Sequence, residues 1–401
     1  MSHLNIAILG FGTVGKGVHH SIKSHQTRLE EVLGKSVRVV GILVKNMEKH
    51  EQSREDGVLL TTNYEELLEI EKLDVIVDAI VGCEPGRTYL TQAIEKGIHV
   101  VTANKEMFAH HGEELLALAK KNNVTVGFEA TVAGGIPVIQ TLKQLLQVNR
   151  IQKVEGIFNG TSNFILSSMR KDGLSFEATL LAAQENGYAE TDPSNDIEGY
   201  DAFYKAVVLS QLIYGEKPEE KSTIRKGITE ITADYVESAA ELGLRFRHIV
   251  TLFKGETGIQ CKVEPVLIST EHPFYQVDGV QNAVSIETDL VGNVQLQGPG
   301  AGRYPTASAI LEDIIQISRP VNSKPAYIEY QEDAKPSSKY VLFSKNGNLD
   351  IPYDITVLAR FSNHAAVVEI EEVERIRLGI QDVVSFELKG NYRHTVKKVT
   401  V

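Results

Sequence analysis

Asp201 and Lys205 stand four residues apart in Asp201–Tyr214, a stretch whose apolar spacing predicts a helix, so a carboxylate and an ammonium share one face. Such a pair can converge on a bound zwitterion or simply on each other. The preceding loop, Gly187-Tyr188-Ala189-Glu190-Thr191-Asp192-Pro193, adds context: Gly187 should stop an amphipathic helix and leave carboxylates on a constrained turn. A second lysine, in Thr102-Ala103-Asn104-Lys105, follows the short apolar run His99–Thr102. Open α/β sheets bind ligands outside the carboxyl ends of their strands, so Lys105 is expected to point into a cleft, where it could orient a hydroxyl or relay a proton.

Gly10-Phe11-Gly12-Thr13-Val14-Gly15 follows a strand directly and opens a helix. Glycines there permit a tight turn and close backbone approach, while helix N–H groups face a pyrophosphate; dinucleotide binding is the expected use. A cofactor with a free ribose 2′-hydroxyl calls for an acidic residue near the end of the second strand. Here Gly41-Ile42-Leu43-Val44 runs into Lys45 and Asn46 instead, which suits a 2′-phosphate. One cation after a strand discriminates poorly, so NADP(H) is preferred and NAD(H) stays open. A further glycine-rich run, Gly298 to Gly302 before Arg303-Tyr304-Pro305-Thr306, offers backbone donors at another helix start or is a plain loop.

The elements that must hold these residues follow from periodicity. Up to residue 140, the runs Ile6–Leu9, Val37–Val44, Val75–Ala79, His99–Thr102 and Val124–Phe128 alternate with amphipathic stretches. That alternation predicts a Rossmann-type, doubly wound parallel sheet, to which residues 300–330 are expected to return. Residues 141–300, with helices expected over Phe176–Asn186 and Asp201–Tyr214, read as an α+β domain; Thr306–Ser318 is another expected helix. The polar, proline-interrupted stretch Ala334–Lys339 reads as a linker to a small α+β domain over residues 335–401. In it, Ile355–Arg360, Val383–Leu388 and Thr395–Val401 are expected strands, and Asn363 is expected to cap a helix running towards Gly379.

Composition narrows the partners. At 401 residues two or three domains are expected. The formal charge of −12 comes with both signs interspersed, which gives nucleic-acid phosphates little to bind and points to a small-molecule ligand. Cys83 and Cys261 are the two cysteines, outside any metal-ligand spacing, so neither a disulfide framework nor a zinc site is expected and a reducing cytoplasm fits. No apolar run reaches membrane-spanning length, and His3–Leu9 reads as a buried strand rather than a cleavable leader.

Together the N-terminal glycine motif, Ala103-Asn104-Lys105, the run Glu129-Ala130-Thr131-Val132-Ala133-Gly134-Gly135-Ile136-Pro137, Asn159-Gly160-Thr161-Ser162-Asn163 and the block from Gly187 to Lys205 resemble homoserine dehydrogenase. The resemblance covers roughly residues 4 to 320 and implies NAD(P)-dependent interconversion of L-homoserine and L-aspartate 4-semialdehyde, in the biosynthesis of threonine, methionine and isoleucine. It implies Lys205 as proton donor and acceptor, Lys105 beside it contacting cofactor and substrate, and Glu190 and Asp201 as homoserine ligands. It makes Gly187 and Gly302 cofactor contacts, and Glu129 with the carbonyls of Val132, Gly134 and Ile136 the cage of a structural sodium ion. It also implies a homodimer or higher homo-oligomer, formed through the second domain.

Many relatives carry a C-terminal ligand-binding ACT domain whose first loop has an Asp, Pro and Gly signature. Arg360-Phe361-Ser362-Asn363-His364 lacks it, so the tail is expected to be a degenerate ACT-like regulatory module, with threonine as the effector the family suggests. Two rival functions differ in their residues. An aspartate-semialdehyde dehydrogenase needs a thiolate nucleophile, for which Cys83 and Cys261 have no convincing context. A cofactor-sensing protein without turnover has no use for Lys105, Glu190, Asp201 and Lys205 together.

Overall fold

Short aliphatic strands buried on both faces build the first layer. In this computed structural model, which describes residues 3–219, 223–256, 258–318, 338–345, 349, 351, 355–360, 364–370 and 383–390, strands and helices alternate at the start of the chain. They are β1 (His3–Leu9), α1 (Thr13–Ser24), α2 (Gln26–Leu33), β2 (Ser36–Leu43), β3 (Leu59–Thr61), α3 (Tyr64–Leu68), β4 (Val75–Asp78), α4 (Gly86–Glu95), β5 (His99–Thr102), α5 (Lys105–Lys121) and β6 (Val126–Gly127). The six strands form one parallel sheet in the order β3-β2-β1-β4-β5-β6. Every residue of β4 is buried, as a parallel sheet covered on both faces requires. Strand order reverses between β1 and β4, which opens a crevice beyond their carboxyl ends.

Next come α6 (Val138–Leu145), β7 (Ile151–Ile157), α7 (Gly160–Asp172), α8 (Phe176–Glu185), α9 (Ser194–Ile197), α10 (Tyr200–Tyr214), β8 (Thr223–Arg225), α11 (Ala233–Glu241), β9 (Arg245–Gly255), β10 (Gly258–Ile268), β11 (Gln281–Thr288) and β12 (Asn293–Pro299). These strands belong to a second, mixed sheet, with β12 at one edge, where Asn293, Gln295 and Gln297 alternate outwards. The chain then returns. Helix α12 (Arg303–Ile317) buries Ala307, Ile310 and Ile314 in the same core as Ile6, Ile8, Val18, Val75, Val77 and Val101 of the first sheet.

The C-terminal strands β13 (Ser338–Ser344), β14 (Thr356–Arg360), β15 (Ala365–Ile370) and β16 (Val383–Lys389) do not form a sheet of their own. They extend the second sheet in the order β10-β16-β13-β15-β14. Pairing of β16 with β10 is short, Leu267 with Leu388 and Ile268 with Lys389, while β8 pairs with β10 at Cys261–Val263. One hydrophobic core runs across the join: Phe246 and Leu267 pack with Val341, Phe343, Val367 and Phe386.

One expected element is corrected. Residues 365–370, placed in a helix capped by Asn363, form strand β15, with Ala365 to Val368 buried and paired to β13 and β14. The apolar run Ala365-Ala366-Val367-Val368 is continuous, a pattern shared by buried strands and buried helices. Asn363, residues 371–382, the expected strand Thr395–Val401 and Ala334–Ser337 of the linker lie outside the described residues, whereas Ser338 and Lys339 already belong to β13.

Helix α1 meets α12 where the former carries Gly17: a Cβ there would sit 2.5 Å from the Arg303 carbonyl oxygen. We expect Gly17→Val to push the two helices apart and cost about 1–3 kcal/mol, as overpacking does. A lowered denaturant midpoint with an unchanged slope is the expected reading; an unaltered midpoint would mean that the helices separate without cost.

Candidate active site

The turn after β1 has the shape a pyrophosphate needs. Gly10 adopts φ +88°, and a Cβ on it would meet the Ala79 carbonyl oxygen at 2.9 Å. Gly15 is packed so closely that a Cβ would lie 2.0 Å from the Gly10 oxygen. Gly12, by contrast, caps α1 with nothing within 4 Å of where its Cβ would be. Two glycines therefore tighten the turn, and the third leaves the helix N-terminus open to an approaching anion. Thr13 is exposed at the start of the helix, Val14 packs on the core below, and Phe11 is buried against Ile42 and Val44. Lys45 follows Val44 directly and is exposed at the end of the second strand. Gly302, with φ +120°, caps α12.

Lys105 is set by a chain of hydrogen bonds at the ends of β4 and β5. Buried Asp78 accepts from the Ile80 amide at 3.0 Å and from the Thr102 hydroxyl at 2.8 Å; burial raises its pKa to about 6. The Thr102 oxygen in turn accepts from the Asn104 amide, and Asn104 caps α5 by accepting from Met107 while donating to the Gly82 carbonyl at 2.7 Å. Lys105, the first residue of α5, then projects away from the sheet.

It meets Asp201. Oδ1 of Asp201 lies 2.7 Å from Lys105 Nζ, and Oδ2 lies 2.7 Å from Lys205 Nζ one helical turn further along α10. Gly199, at φ +80°, starts that helix. Lys205 also donates to the Phe158 carbonyl at 2.6 Å, at the corner between β7 and α7. Asp201 and Lys205 are buried, whereas the side chain of Lys105 is 44% exposed.

Their protonation preferences diverge. Burial pushes the Asp201 carboxyl upwards, yet the Lys105 and Lys205 ammonium groups outweigh it and hold it well below the usual carboxylate range. Lys105 is held above the ordinary lysine value, chiefly by Asp201, against the opposing effect of burial. Lys205 is moved the other way: burial, with Lys105 as a like charge, lowers its pKa despite the attraction of Asp201. One lysine stays charged and its neighbour is poised to lose a proton.

Two groups in this cluster were given no role by the sequence reading, although both lie within motifs it quoted. Asn159 donates its single amide nitrogen to Asp196 at 2.6 Å and to Asp201 at 2.9 Å, while its oxygen caps α7 through the Ser162 amide at 2.7 Å. Asp196, on α9, is raised by burial and by Asp201. The cap pattern of Asn159 was legible; its second partnership crosses more than thirty positions and leaves no local signal. Gly187 ends α8 with φ +72°, and the Thr161 hydroxyl holds the following Tyr188 carbonyl at 2.7 Å. Glu190 itself is exposed and, among the described residues, its carboxylate has no ion-pair partner.

Glu129 is turned towards α6. Its two carboxylate oxygens accept from the Ile139 and Gln140 amides, both at 2.8 Å, and its own amide donates to Asp313 of α12 at 2.8 Å. Burial raises Glu129 to about 7 and Asp313 to about 6. Val132 and Ile136 are buried beside it, the Ile136 carbonyl accepts from Val138 at 2.8 Å, and Gly134, at φ +56°, presses on Gly300. Lys143 lies near both carboxylates and acts against the effect of burial on them; the Glu129 oxygens and the carbonyls nearby are the hard donors a hard cation takes.

Neither cysteine offers a thiolate. Burial pushes Cys261 up to about 12, and Cys83 is raised by burial with Glu106 and Glu84 beside it. A separate cleft of about 870 Å³, walled by β10 and β16 behind Glu198 and Arg225, contains none of the lysine–aspartate cluster. Among the described residues no helix is long and apolar enough to cross a membrane.

Comparison with known proteins extends the geometry. A family model described as "Homoserine dehydrogenase, NAD binding domain" matches residues 10–129, and one described as "Homoserine dehydrogenase" matches residues 137–315. A curated homoserine dehydrogenase from Lactococcus lactis subsp. lactis is 35% identical over 386 residues, 96% of this chain and 88% of the relative. That of Neisseria gonorrhoeae is 40% identical over 327 residues, 82% of this chain and 75% of the relative. The crystal structure of a homoserine dehydrogenase from Thiobacillus denitrificans aligns with a TM-score of 0.86 at 32% identity, over 97% of this chain and 98% of the other. A hyperthermophilic archaeal homoserine dehydrogenase in complex with NADPH aligns with a TM-score of 0.68 at 32% identity, over 79% of this chain and 98% of its own. Since these likenesses run through both sheets and the segment bearing Asp201 and Lys205, the chain belongs to the homoserine dehydrogenase family.

Proposed function

We propose that this NAD(P)-dependent oxidoreductase interconverts L-homoserine and L-aspartate 4-semialdehyde with Lys205 as the proton carrier, in the biosynthesis of threonine, methionine and isoleucine. The observation that carries the assignment is the shared carboxylate of Asp201, which keeps Lys105 charged beside a Lys205 whose pKa is lowered.

When bound, the nicotinamide exchanges a hydride with the carbon that bears the hydroxyl. The protein's part is positioning and proton transfer. A neutral Lys205 has two N–H bonds and one lone pair. The Phe158 carbonyl and Asp201 take the two hydrogens, which leaves the lone pair to accept the substrate hydroxyl proton. In the reverse direction the ammonium has a third hydrogen to give to the forming alkoxide. Lys105, charged and facing the cleft, stabilises negative charge on the same oxygen. Asp201 contributes to homoserine binding by holding both lysines, and Glu190 receives the substrate ammonium.

The other assignments belong to the same reading. Residues 1–140 with 300–330 hold the cofactor through Gly10, Phe11, Gly12, Thr13, Val14, Gly15, Lys105, Gly187 and Gly302, and Lys45 selects the 2′-phosphate of NADP(H). Residues 141–300 hold the substrate and self-associate; the outer edge of β12, which faces no strand among the described residues, supports this. Residues 335–401 are regulatory, with threonine as effector. Glu129 and the carbonyls of Val132, Gly134 and Ile136 hold sodium. Sedimentation, together with thermal midpoints in sodium against choline chloride, checks the oligomer and the cation; a monomer, or no gain in sodium, removes either assignment. Two unpaired cysteines suit the cytoplasm.

The main test is homoserine-dependent reduction of NADP⁺ across pH. The rate of oxidation should rise as Lys205 loses its proton, with a midpoint below the ordinary lysine value of 10.5, and aldehyde reduction should fall over the same range. Lys205→Ala should lower kcat by about 1000-fold, near the upper range for a positioned acid–base group, with cofactor affinity unchanged. Full activity in that variant, or wild type inert towards homoserine while binding NADP⁺, would refute the reading. For Lys45→Ala we expect KM for NADP⁺ to rise about tenfold or more, as the loss of about 1.4 kcal/mol implies, with KM for NAD⁺ little altered. An equal rise for both would place Lys45 elsewhere.

A further inference from the structure

Two carboxylates, one on α9 and one on α10, meet at the amide nitrogen of Asn159, at the corner after β7. Asn159 is 4% exposed, and its Nδ2 reaches Asp196 Oδ1 and Asp201 Oδ2. We propose that Asn159 is a positioning residue for proton transfer at Lys205: its amide ties Asp201 to Asp196 and occupies part of the same Asp201 oxygen on which Lys205 rests. The inference rests on the reading of Lys205 as the proton carrier.

The orientation of the amide follows from its partners. Its oxygen accepts from the Ser162 amide, so the nitrogen must face the two carboxylates; turned over, it would set an oxygen against both. Three of the roughly four acceptor directions of Asp201 are then in use: Oδ1 towards Lys105, and Oδ2 towards Lys205 and Asn159. A neutral donor on Oδ2 withdraws part of the negative charge that would otherwise hold a proton on Lys205. It also fixes the plane of the carboxylate, so the lone pair of a neutral Lys205 points in one direction. The charged groups acting on Lys205 are Asp201 on its own helix, Lys105 at the start of α5 and Asp196 on α9, with Glu106 acting on Lys105. Beyond them lies buried His248 of β9, which is influenced by Asp201 and by Glu264 of β10. Among the bonds described, only Asn159 joins two of these carboxylates.

Capping and donation can be separated, because serine and aspartate both cap helices well but neither carries an amide nitrogen. The experiment measures kcat and kcat/KM for homoserine oxidation by the whole enzyme over pH, for wild type, Asn159→Ser and Asn159→Asp, with thermal midpoints alongside. We expect midpoints close to wild type for Asn159→Ser. Its lower pH limb should move upwards by about one unit, so that kcat/KM near neutral pH falls about tenfold and recovers at high pH. Asn159→Asp, which adds a third carboxylate, should move the limb further. An unmoved limb in Asn159→Ser, or a loss of rate that is equal at every pH, would overturn the proposal and leave Asn159 a cap alone. Lys205→Arg separates the two levels: if the wild-type limb survives in that variant, the limb never belonged to Lys205 and the proton-carrier reading falls, whatever Asn159 does.

Discussion

The carboxylate of Asp201 is the constraint around which this molecule is organised. A buried carboxyl tends to keep its proton, and the two ammonium groups in contact with this one reverse that tendency. The three partners come from separate parts of the chain: Lys105 from the start of α5, Lys205 from α10 and Asn159 from the corner after β7. Removing a single partner from a buried charge pair costs about 3–5 kcal/mol, because the remaining charge stays behind uncompensated. Lys105 and Lys205 both hold Asp201 down, Lys105 the more strongly, although its side chain is the more exposed of the two.

Much of this was legible in the sequence, for reasons that differ between elements. The first sheet declares itself because parallel strands covered on both faces are runs of aliphatic residues: β2, β4 and β5 fall within one residue of where those runs predict, and β1 starts three residues before its run. Strand β3 is three residues long, too short for periodicity to register. Asp201 and Lys205 could be paired because a helix brings residues four apart together. Their meeting with Lys105 and Asn159 depends on how sheets pack, and no local spacing encodes it. The same limit hid Asp196, and it left Glu129 readable only as an isolated carboxylate among glycines, when both its oxygens in fact receive the first turn of α6.

The carboxyl end shows where pattern alone fails. Ala365 to Val368 are apolar without interruption, and only the neighbouring strands β13 and β14 decide that they extend rather than coil. Proline and polar residues before β13 mark off the small C-terminal unit, whose strands β16-β13-β15-β14 join the second sheet through a two-residue pairing and share its aromatic core. A change in composition marks where a chain crosses solvent; it carries no information about which surface the chain meets afterwards.

Helix α12 imposes an order on how the molecule can be made. The face of the first sheet formed by Ile6, Ile8, Val75, Val77 and Val101 is completed by Ile310 and Ile314, whose codons come long after those of β6. At a synthesis rate of about 5–20 residues per second, the gap between Gly127 and Arg303 lasts roughly 10 to 35 seconds, during which that apolar face has no native cover from α12. The nucleotide-binding half is first to leave the ribosome yet is finished only after β12, so a nascent chain stalled in the second sheet would present an open hydrophobic surface to chaperones and to its neighbours.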